Sequence, residues 1–488
     1  MQQDAIMEYI YDKLRNYSES GYYGFHMPGH KRNRMRIETD LPYEIDITEI
    51  DGFDDLHHAS GIIREGEMRA AELYGAEETH YLVNGSTVGL LSAVMGCTKP
   101  GDRVLVARNC HKSVYNAIYL NDLKPVYVYP DLIPGTAICG PVKAEHVAAL
   151  LKEWNDVKAV IITSPTYDGV VSDVRALADE AHRYGVPLIL DEAHGAHFGF
   201  HPYFPENGNM LGADLVIHSL HKTMPSLTQT ALIHLNGDLV DREPVRRYLH
   251  MLQSSSPSYI LMAAIDECIR MVSGRREEMF GQYVSLLEET RDRLSALEHL
   301  HLFDDSSYDR SKLLIDTSKS AIIAGGKIKK YTGKLLSDDL RRDYLIEMEM
   351  SLPGYTVGMT SVCDTKEGMD RLVGALYEID GKLANRFMSE RNPAKPLGLS
   401  VDKTGNRRVY SMREIDKFTN NKISVSYADA EGTIAMEFAY VYPPGIPLVT
   451  PGERISAYTA ELLQSYADDG FDIEGTKTKG KIEVLENG

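Results

Sequence analysis

Two ionisable side chains follow apolar segments that have the character of buried β-strands. Asp191 comes directly after the apolar run 187–190, and Lys222 follows a second run at 215–218. Ligands of open α/β sheets bind just beyond the carboxyl ends of the strands. A carboxylate there keeps a pyridine nitrogen protonated, and a lysine amine forms Schiff bases with carbonyl groups. Each residue alone also fits a plainer role, as a helix-capping aspartate or a solvated surface lysine.

A third feature is the segment 84–87 (Asn-Gly-Ser-Thr), which joins a predicted strand to a predicted helix. The first turn of a helix presents backbone N–H groups to anions, and the hydroxyls of Ser86 and Thr87 add donors. Gly85 allows the backbone to approach a ligand closely. Alone the segment is an ordinary helix cap, but beside the aspartate and the lysine it favours phosphate binding. Together the three features indicate pyridoxal 5′-phosphate (PLP) as cofactor.

Further polar side chains follow the same predicted strands. Ser219 and His221 lie beside the lysine and offer groups suited to a phosphate oxygen or to proton transfer. His111 is placed to stack on the cofactor ring, and Thr166 is placed to reach the ring hydroxyl. His194 is expected one helical step past the aspartate, where it would support that carboxylate. Both His111 and His194 also fit the role of ordinary surface histidines.

The elements that must position these residues alternate between apolar strands and amphipathic helices, after a first helix at 4–17. The strands are predicted at 81–83, 103–107, 126–129, 159–163, 187–190, 215–218 and 231–235. The helices are predicted at 86–95, 112–121, 143–154, 174–184 and about 256–298. Because several strands lack polar alternation, we expect an α/β, doubly wound, mostly parallel sheet.

After about residue 310 the pattern changes to α+β. Strands are predicted at 312–315, 320–323 and 346–350, helices at 331–340 and 366–389, and a linker at 391–396. The predicted domains are an N-terminal arm (1–60), a large cofactor-binding domain (61–310), a small α+β domain (311–390) and a C-terminal domain (391–488). A chain of 488 residues is too long for one core.

The bulk composition limits the possible partners. The formal net charge of −19 argues against nucleic acid or an anionic membrane as main partner. The five cysteines show neither a C-x-x-C pair nor a zinc-ligand spacing, so we expect a reducing compartment and no metal site. No secretory signal and no apolar run long enough to span a bilayer is evident, so we expect a cytoplasmic protein.

Five motifs in order resemble those of the Orn/Lys/Arg decarboxylases, which are fold-type I PLP enzymes. They are 25–31 (Phe-His-Met-Pro-Gly-His-Lys), 108–113 (Arg-Asn-Cys-His-Lys-Ser), 191–195 (Asp-Glu-Ala-His-Gly), 219–222 (Ser-Leu-His-Lys) and 442–447 (Tyr-Pro-Pro-Gly-Ile-Pro). The resemblance runs from about residue 20 to about 460. It is strongest to the short biosynthetic arginine decarboxylases of bacillar type, because the chain lacks the N-terminal wing domain of the long members.

The resemblance implies a role for each matching residue. It makes Lys222 the Schiff-base lysine, Asp191 the partner of the ring nitrogen and His111 the residue that stacks on the ring. The remaining matches contact phosphate or assist protonation: Ser86, Thr87, Ser219 and His221. The 442–447 segment marks the family's C-terminal domain, and the active site of such enzymes lies between the subunits of a homodimer.

The resemblance also implies the reaction, which is decarboxylation of a basic amino acid in polyamine biosynthesis. L-Arginine, giving agmatine and CO₂, is the first expectation, and lysine and ornithine are the alternatives. Glu349 and Glu347 are the candidates for binding the cationic side chain, with a solvated strand edge as the plainer interpretation. Two rival functions are another fold-type I enzyme, such as an aminotransferase or a carbon–sulfur lyase, and a catalytically inactive regulator.

Overall fold

The computed structural model describes residues 8–23, 25–32, 39–134, 136, 138–324, 327–385, 405–442 and 445–486. The chain divides into two compact units. The first unit lies within Met1–Cys97 and Pro187–Gly281, and the second lies within Thr98–Val186 and Gln282–Gly488. Each unit is therefore built from two separate stretches of chain. The domain boundaries expected at residues 60, 310 and 390 stay a prediction.

Helices and strands are numbered here in chain order. The α-helices are α1 (Ile10–Glu19), α2 (Ile62–Tyr74), α3 (Gly85–Cys97), α4 (Lys112–Leu120), α5 (Ala144–Glu153), α6 (Val174–Arg183), α7 (Leu220–Thr223), α8 (Arg242–Leu252), α9 (Tyr259–Leu294), α10 (Gly333–Tyr344), α11 (Lys366–Asp380) and α12 (Ala457–Asp468). The strands are β1 (Glu78–Leu82), β2 (Arg103–Ala107), β3 (Lys124–Val128), β4 (Val157–Thr163), β5 (Leu188–Asp191), β6 (Leu215–His218), β7 (Ala231–Leu235), β8 (His301–Leu302), β9 (Lys312–Asp316), β10 (Ser320–Ala324), β11 (Lys327–Lys330), β12 (Met350–Leu352), β13 (Tyr355–Met359), β14 (Ala384–Asn385), β15 (Arg407–Arg408), β16 (Lys422–Ser426), β17 (Ala439–Val441), β18 (Ile446–Val449), β19 (Glu453–Arg454), β20 (Ile473–Glu474) and β21 (Lys481–Leu485).

The strands of the first unit follow the order β1-β7-β6-β5. Strands β5 and β6 are parallel, whereas β7 is antiparallel to both β6 and β1. Every residue of β5, β6 and β7 is buried, which explains why their sequences are continuously apolar rather than alternating. Asp191 is in register with Ile217, so the carboxyl ends of β5 and β6 lie at the same edge.

The second unit contains the parallel strands β4-β2-β3 and several antiparallel sheets from residue 301 onward. The largest of these sheets has the order β12-β13-β9-β8. Apolar side chains of β9, β12 and β13 share one core cluster with β17, β18, α12 and β21. The predicted change from an α/β to an α+β pattern of helices and strands after residue 310 is confirmed.

Three predicted elements need correction. The first helix was predicted at 4–17, but it begins at Ile10 and ends at Glu19; residues 4–7 lie outside the described part of the chain. The strand predicted at 346–350 is wrong, because α10 ends at Tyr344, its C-cap Leu345 has a φ of +55°, and regular pairing starts only at Met350. A left-handed residue turns the chain out of the helix, and several residues pass before it can enter a strand.

The helix predicted at 366–389 is too long. It ends at Asp380, where the N–H of Gly381 bonds back to the carbonyl of Tyr377 and closes the last turn. Residues 386–389 and the predicted linker 391–396 lie outside the described residues.

Two kinds of feature are absent from the described residues. None of their helices has the length and apolar character that a membrane crossing requires. Their His, Cys, Asp and Glu side chains form no group of three or more that is arranged to bind a metal ion.

Candidate active site

Lys222 lies in the first unit on α7, a single helical turn that directly follows β6. The buried apolar residues of β6 fix the start of this turn, and Leu220 is itself buried. The Nζ atom of Lys222 lies 2.9 Å from Nε2 of His194. An amine and an imidazole at this distance share a hydrogen bond, so His194 is placed to hold or accept a proton of Lys222.

Asp191 is the last residue of β5, and only 2% of its surface is exposed. Its Oδ1 accepts a hydrogen bond from the N–H of Ala193 at 3.2 Å. The residues after it form a turn rather than the helix that was expected. His194 therefore does not stand one helical step past the aspartate, and its ring nitrogen contacts Lys222, which the sequence did not indicate.

Ser219 and His221 flank the lysine as expected. The Oγ atom of Ser219 is buried, and it has no hydrogen-bond partner among the described residues. Nδ1 of His221 lies 3.0 Å from the carbonyl oxygen of Thr230, so Nδ1 carries the proton. Burial lowers the pKa of His221, and the charge of Lys222 lowers it further. Neutral His221 therefore presents a bare Nε2, and a contact from this atom to phosphate requires it to gain a proton.

The predicted phosphate segment connects β1 to α3. Gly85 has a φ of +74°, a conformation that favours glycine, and its N–H bonds to the carbonyl of Gln229 at 3.0 Å. The Nε2 of Gln229 donates to the carbonyl of Val83 at 2.7 Å. Ser86 is partly exposed and Thr87 is exposed in the first turn of α3. The sequence did not point to Gln229, which anchors this loop by hydrogen bonds from a distant part of the chain.

These residues of the first unit fit PLP. Ser219 supplies a buried hydroxyl without a partner among the described residues. The start of α3 supplies further donors for a phosphate, namely backbone N–H groups and the hydroxyls of Ser86 and Thr87. Asp191 supplies a buried carboxylate for a ring nitrogen, and Lys222 supplies the amine. The donor set thus matches the phosphate, the nitrogen and the aldehyde of the cofactor.

His111 belongs to the second unit and forms the N-cap of α4. Its Nδ1 accepts from the N–H of Ser113 at 3.2 Å and lies 2.7 Å from the hydroxyl of the same residue. This double contact fixes the plane of the ring. Gly445 lies beside it, since a Cβ added to Gly445 would stand 3.6 Å from Nε2 of His111. The structure thus brings the 108–113 and 442–447 motifs together, although Pro443 and Pro444 lie outside the described residues.

A buried arginine, not assigned a role from the sequence, joins these two motifs. The guanidinium of Arg108 donates to the carbonyl of Pro447 at 2.6 Å and to the hydroxyl of Tyr115 at 2.8 Å. It also pairs with Glu453 at 3.5 Å. Burial alone would lower the pKa of Arg108. Electrostatic interactions with Tyr115 and Glu453 outweigh burial and raise this pKa.

The remaining candidates also belong to the second unit. Thr166 is buried, and its Oγ1 accepts from the N–H of Val170 at 3.0 Å, so its hydroxyl stabilises the turn after β4. Glu349 is exposed and accepts a hydrogen bond from the hydroxyl of Tyr167. Glu347 is exposed as well, but it forms an ion pair with Arg341 at 3.0 Å. The two glutamates thus have different surroundings, and Glu349 alone is held by a tyrosine.

Comparison with known proteins gives two family matches. The major domain of the Orn/Lys/Arg decarboxylases matches residues 9–320, and the C-terminal domain of the same family matches residues 410–468. The first match alone covers more than half of the chain.

Similar proteins extend the match to the full length. An arginine decarboxylase of Bacillus subtilis is 30% identical over 98% of this chain and 97% of its own. An uncharacterized protein of the same organism is 33% identical over 98% of both chains. A lysine decarboxylase of Francisella novicida has a similar structure, with a TM-score of 0.82, 18% identity, and coverage of 99% of this chain and 82% of that chain. The predicted α/β, fold-type I class is confirmed.

Proposed function

The chain belongs to the Orn/Lys/Arg decarboxylase family, and we propose that it decarboxylates a basic amino acid with PLP as cofactor. L-Arginine, yielding agmatine and CO₂ for polyamine synthesis, is the proposed substrate. The full-length similarity to an arginine decarboxylase supports this choice over lysine and ornithine. The match to the family's C-terminal domain supports a decarboxylase over an aminotransferase or a carbon–sulfur lyase. By the same family resemblance we propose a homodimer in the cytoplasm.

The observation that best supports the reaction is the contact between Lys222 and His194 at the sheet edge where Asp191 also lies. PLP, when bound, supplies an electron sink for the bond that is broken at the substrate Cα. Asp191 would keep the ring nitrogen protonated from its buried position. His194 would take a proton from Lys222, which leaves the amine able to bind the cofactor.

Five further residues have proposed roles toward the cofactor. Ser219 would donate its unpartnered hydroxyl to a phosphate oxygen, together with Ser86 and Thr87 of α3. His111 would stack on the ring, and its contacts to Ser113 would hold it in one orientation. Neutral His221 would accept a proton at Nε2 rather than donate one.

We propose Glu349, in the second unit, as the residue that binds the cationic side chain of the substrate. Glu349 is exposed, and the hydroxyl of Tyr167 orients its carboxylate. Burial lowers the pKa of nearby Lys312, and electrostatic interactions with Asp309 and Glu349 oppose that lowering. A carboxylate fixed in this way would bind a guanidinium or ammonium group. We keep Glu347 out of the proposal, because it already forms a solvent-exposed pair with Arg341.

The direct test is CO₂ release from L-arginine, L-lysine and L-ornithine, measured side by side on PLP-loaded protein. We expect release from arginine to be fastest. Lys222→Ala should lose both turnover and the visible absorbance of the bound cofactor, whereas Lys124→Ala, at an exposed strand start, should keep both. CO₂ release retained in Lys222→Ala refutes the assignment of this lysine. A colourless protein after addition of PLP refutes the enzyme proposal and leaves the inactive regulator.

A further inference from the structure

Four polar side chains of the first unit form one continuous hydrogen-bonded chain in the core. Oε2 of Glu192 lies 2.6 Å from Nε2 of His218, and Nδ1 of His218 lies 3.0 Å from Nε2 of His234. Nδ1 of His234 lies 2.7 Å from Oγ1 of Thr79. All four residues are at most 1% exposed. Buried polar groups are costly unless they are paired, so this chain exists because each member satisfies the next.

The chain crosses every strand of this unit's sheet. Glu192 directly follows β5, His218 ends β6, His234 lies on β7 and Thr79 lies on β1. Thr79 and His234 are direct cross-strand partners. The backbone N–H of Glu192 also donates to the carbonyl of Ile217 at 3.0 Å. The hydrogen bonds of the side chains thus run perpendicular to the strands, in the strand order β5-β6-β7-β1.

Three members of this chain precede or follow parts of the proposed cofactor site along the sequence. Glu192 follows Asp191, and His218 precedes Ser219 on the way to Lys222. Thr79 lies on β1, the strand that leads into the phosphate segment 84–87. One set of side chains therefore joins three strands: the one that carries Asp191, the one that leads to Lys222, and the one that leads to the phosphate segment.

The proton content of the chain follows from its burial. Burial lowers the pKa of His234 well below its ordinary value, so this histidine is neutral. Burial raises the pKa of Glu192, while the hydrogen bond and charge of His218 oppose that rise. The carboxyl of Glu192 and the imidazole of His218 are joined by a hydrogen bond at their short contact. The single N–H of His234 can point to His218 or to Thr79, and either arrangement gives every ring nitrogen a partner.

Other titratable groups face the chain. The ring of Tyr74 packs at 4.7 Å from that of His218 and 5.0 Å from that of His234, and its hydroxyl donates to the carbonyl of Ala196. An electrostatic interaction with His197 lowers the pKa of Glu192, and one with His80 lowers the pKa of His234. Burial raises the pKa of Tyr74 well above its ordinary value, so this residue packs against both rings without adding charge.

We propose that Glu192, His218, His234 and Thr79 are positioning residues that hold the three parts of the cofactor site in register. This inference rests on the proposed function, since it assigns the chain a role toward PLP. Loss of the link from Glu192 to His218 should let the ends of β5 and β6 shift relative to each other, which separates Asp191 from the Lys222 turn. Loss of the link from Thr79 to His234 should let β1 shift relative to β7, which displaces the phosphate segment that follows β1. The cofactor would then bind more weakly, and its absorbance would respond differently to pH.

The test uses the full-length protein with Glu192→Gln and Thr79→Val, and with Asp380→Asn as control. Asp380 is buried in the second unit, and its carboxylate accepts hydrogen bonds from the backbone N–H groups of residues 298–300, so its variant weakens a buried interaction outside the tested chain of side chains. For each protein we would measure the thermal midpoint without cofactor, the PLP dissociation constant by absorbance titration, and the pH at which the visible band changes.

We expect Glu192→Gln to weaken PLP binding by about tenfold or more and to move the pH of the spectral change. Thr79→Val, which removes only a hydroxyl, should act in the same direction and keeps the test valid if Glu192→Gln does not fold. Asp380→Asn should lose thermal stability and keep PLP affinity within about twofold. Glu192→Gln and Thr79→Val variants that lose stability like Asp380→Asn but keep the wild-type affinity and spectrum overturn the positioning role. Wild-type protein that binds no PLP overturns the proposed function itself.

Discussion

His80 on β1 makes the stability of this protein depend on pH in a way that can be measured. Its Nε2 lies 2.6 Å from Glu78, and its Nδ1 lies 3.4 Å from Glu67. Burial alone would lower the pKa of His80, but the two carboxylates outweigh burial and raise it to about 9. The ordinary value is 6.5, so the folded state binds this proton more tightly than the unfolded state does.

The size of the effect follows from these two values. A rise from 6.5 to about 9 corresponds to about 3 kcal/mol of stabilisation. A raised histidine pKa contributes fully below the unfolded value and loses its contribution as the pH rises through the folded value. We therefore expect the contribution to be complete at pH 6 and largely lost by pH 9.5.

The perturbation is His80→Gln, which keeps a polar side chain but cannot take up the proton. The assay is the free energy of unfolding in denaturant for wild type and variant at pH 6 and pH 9.5. We expect the wild type to have the larger free energy of unfolding, and its advantage over the variant to be about 3 kcal/mol greater at pH 6 than at pH 9.5. His250→Gln, at an exposed position on α8, serves as the control and should show no such difference. A gap between wild type and His80→Gln that is equal at both pH values refutes the reasoning.

Three further predictions concern the proposed reaction. Asp191→Ala should keep some PLP bound and lower kcat by about 10²-fold or more, and near-normal turnover would count against its role. His194→Gln should slow the capture of PLP by Lys222 by about 10²-fold, followed as the rise of visible absorbance after mixing; an unchanged rate would exclude proton transfer at the observed contact. Glu349→Gln should raise KM for arginine by about tenfold, while Glu347→Gln should change it less than twofold. Equal effects of the two glutamine variants on KM would remove Glu349 from the substrate site.

The residues that lie at strand ends could be predicted from the sequence. The apolar runs before Asp191 and Lys222 locate both residues at one sheet edge, because a polar residue marks the place where a buried strand ends. The strands 103–107, 215–218 and 231–235 agree with the structure to the residue. Local pattern is sufficient here because burial on both faces leaves a strong signal.

Contacts between distant segments could not be predicted in this way. The hydrogen bond of His194 to Lys222 depends on the turn after β5, and local spacing suggested a helix instead. The link from Glu192 to His218 and His234 depends on strand order, which no periodicity encodes. A strand was predicted at 346–350, but the left-handed C-cap Leu345, which follows α10, determines the local path of the chain.

The buried arginine explains why two motifs far apart in sequence belong to one pattern. Arg108 is 5% exposed, so its guanidinium must find acceptors inside the protein. The carbonyls of Pro447 and Leu448 provide them, and a proline at 447 offers a carbonyl without a backbone N–H that would itself need a partner.

This arrangement also bears on His111, which caps α4 three residues after Arg108. Fixing Arg108 against the segment around Pro447 fixes the start of α4, and Gly445 then lies close to the His111 ring. The backbone of the C-terminal motif, rather than a reactive side chain, thus determines where this histidine stands. A change at Pro447 should therefore act on the proposed ring-stacking residue without touching the chemistry of Lys222.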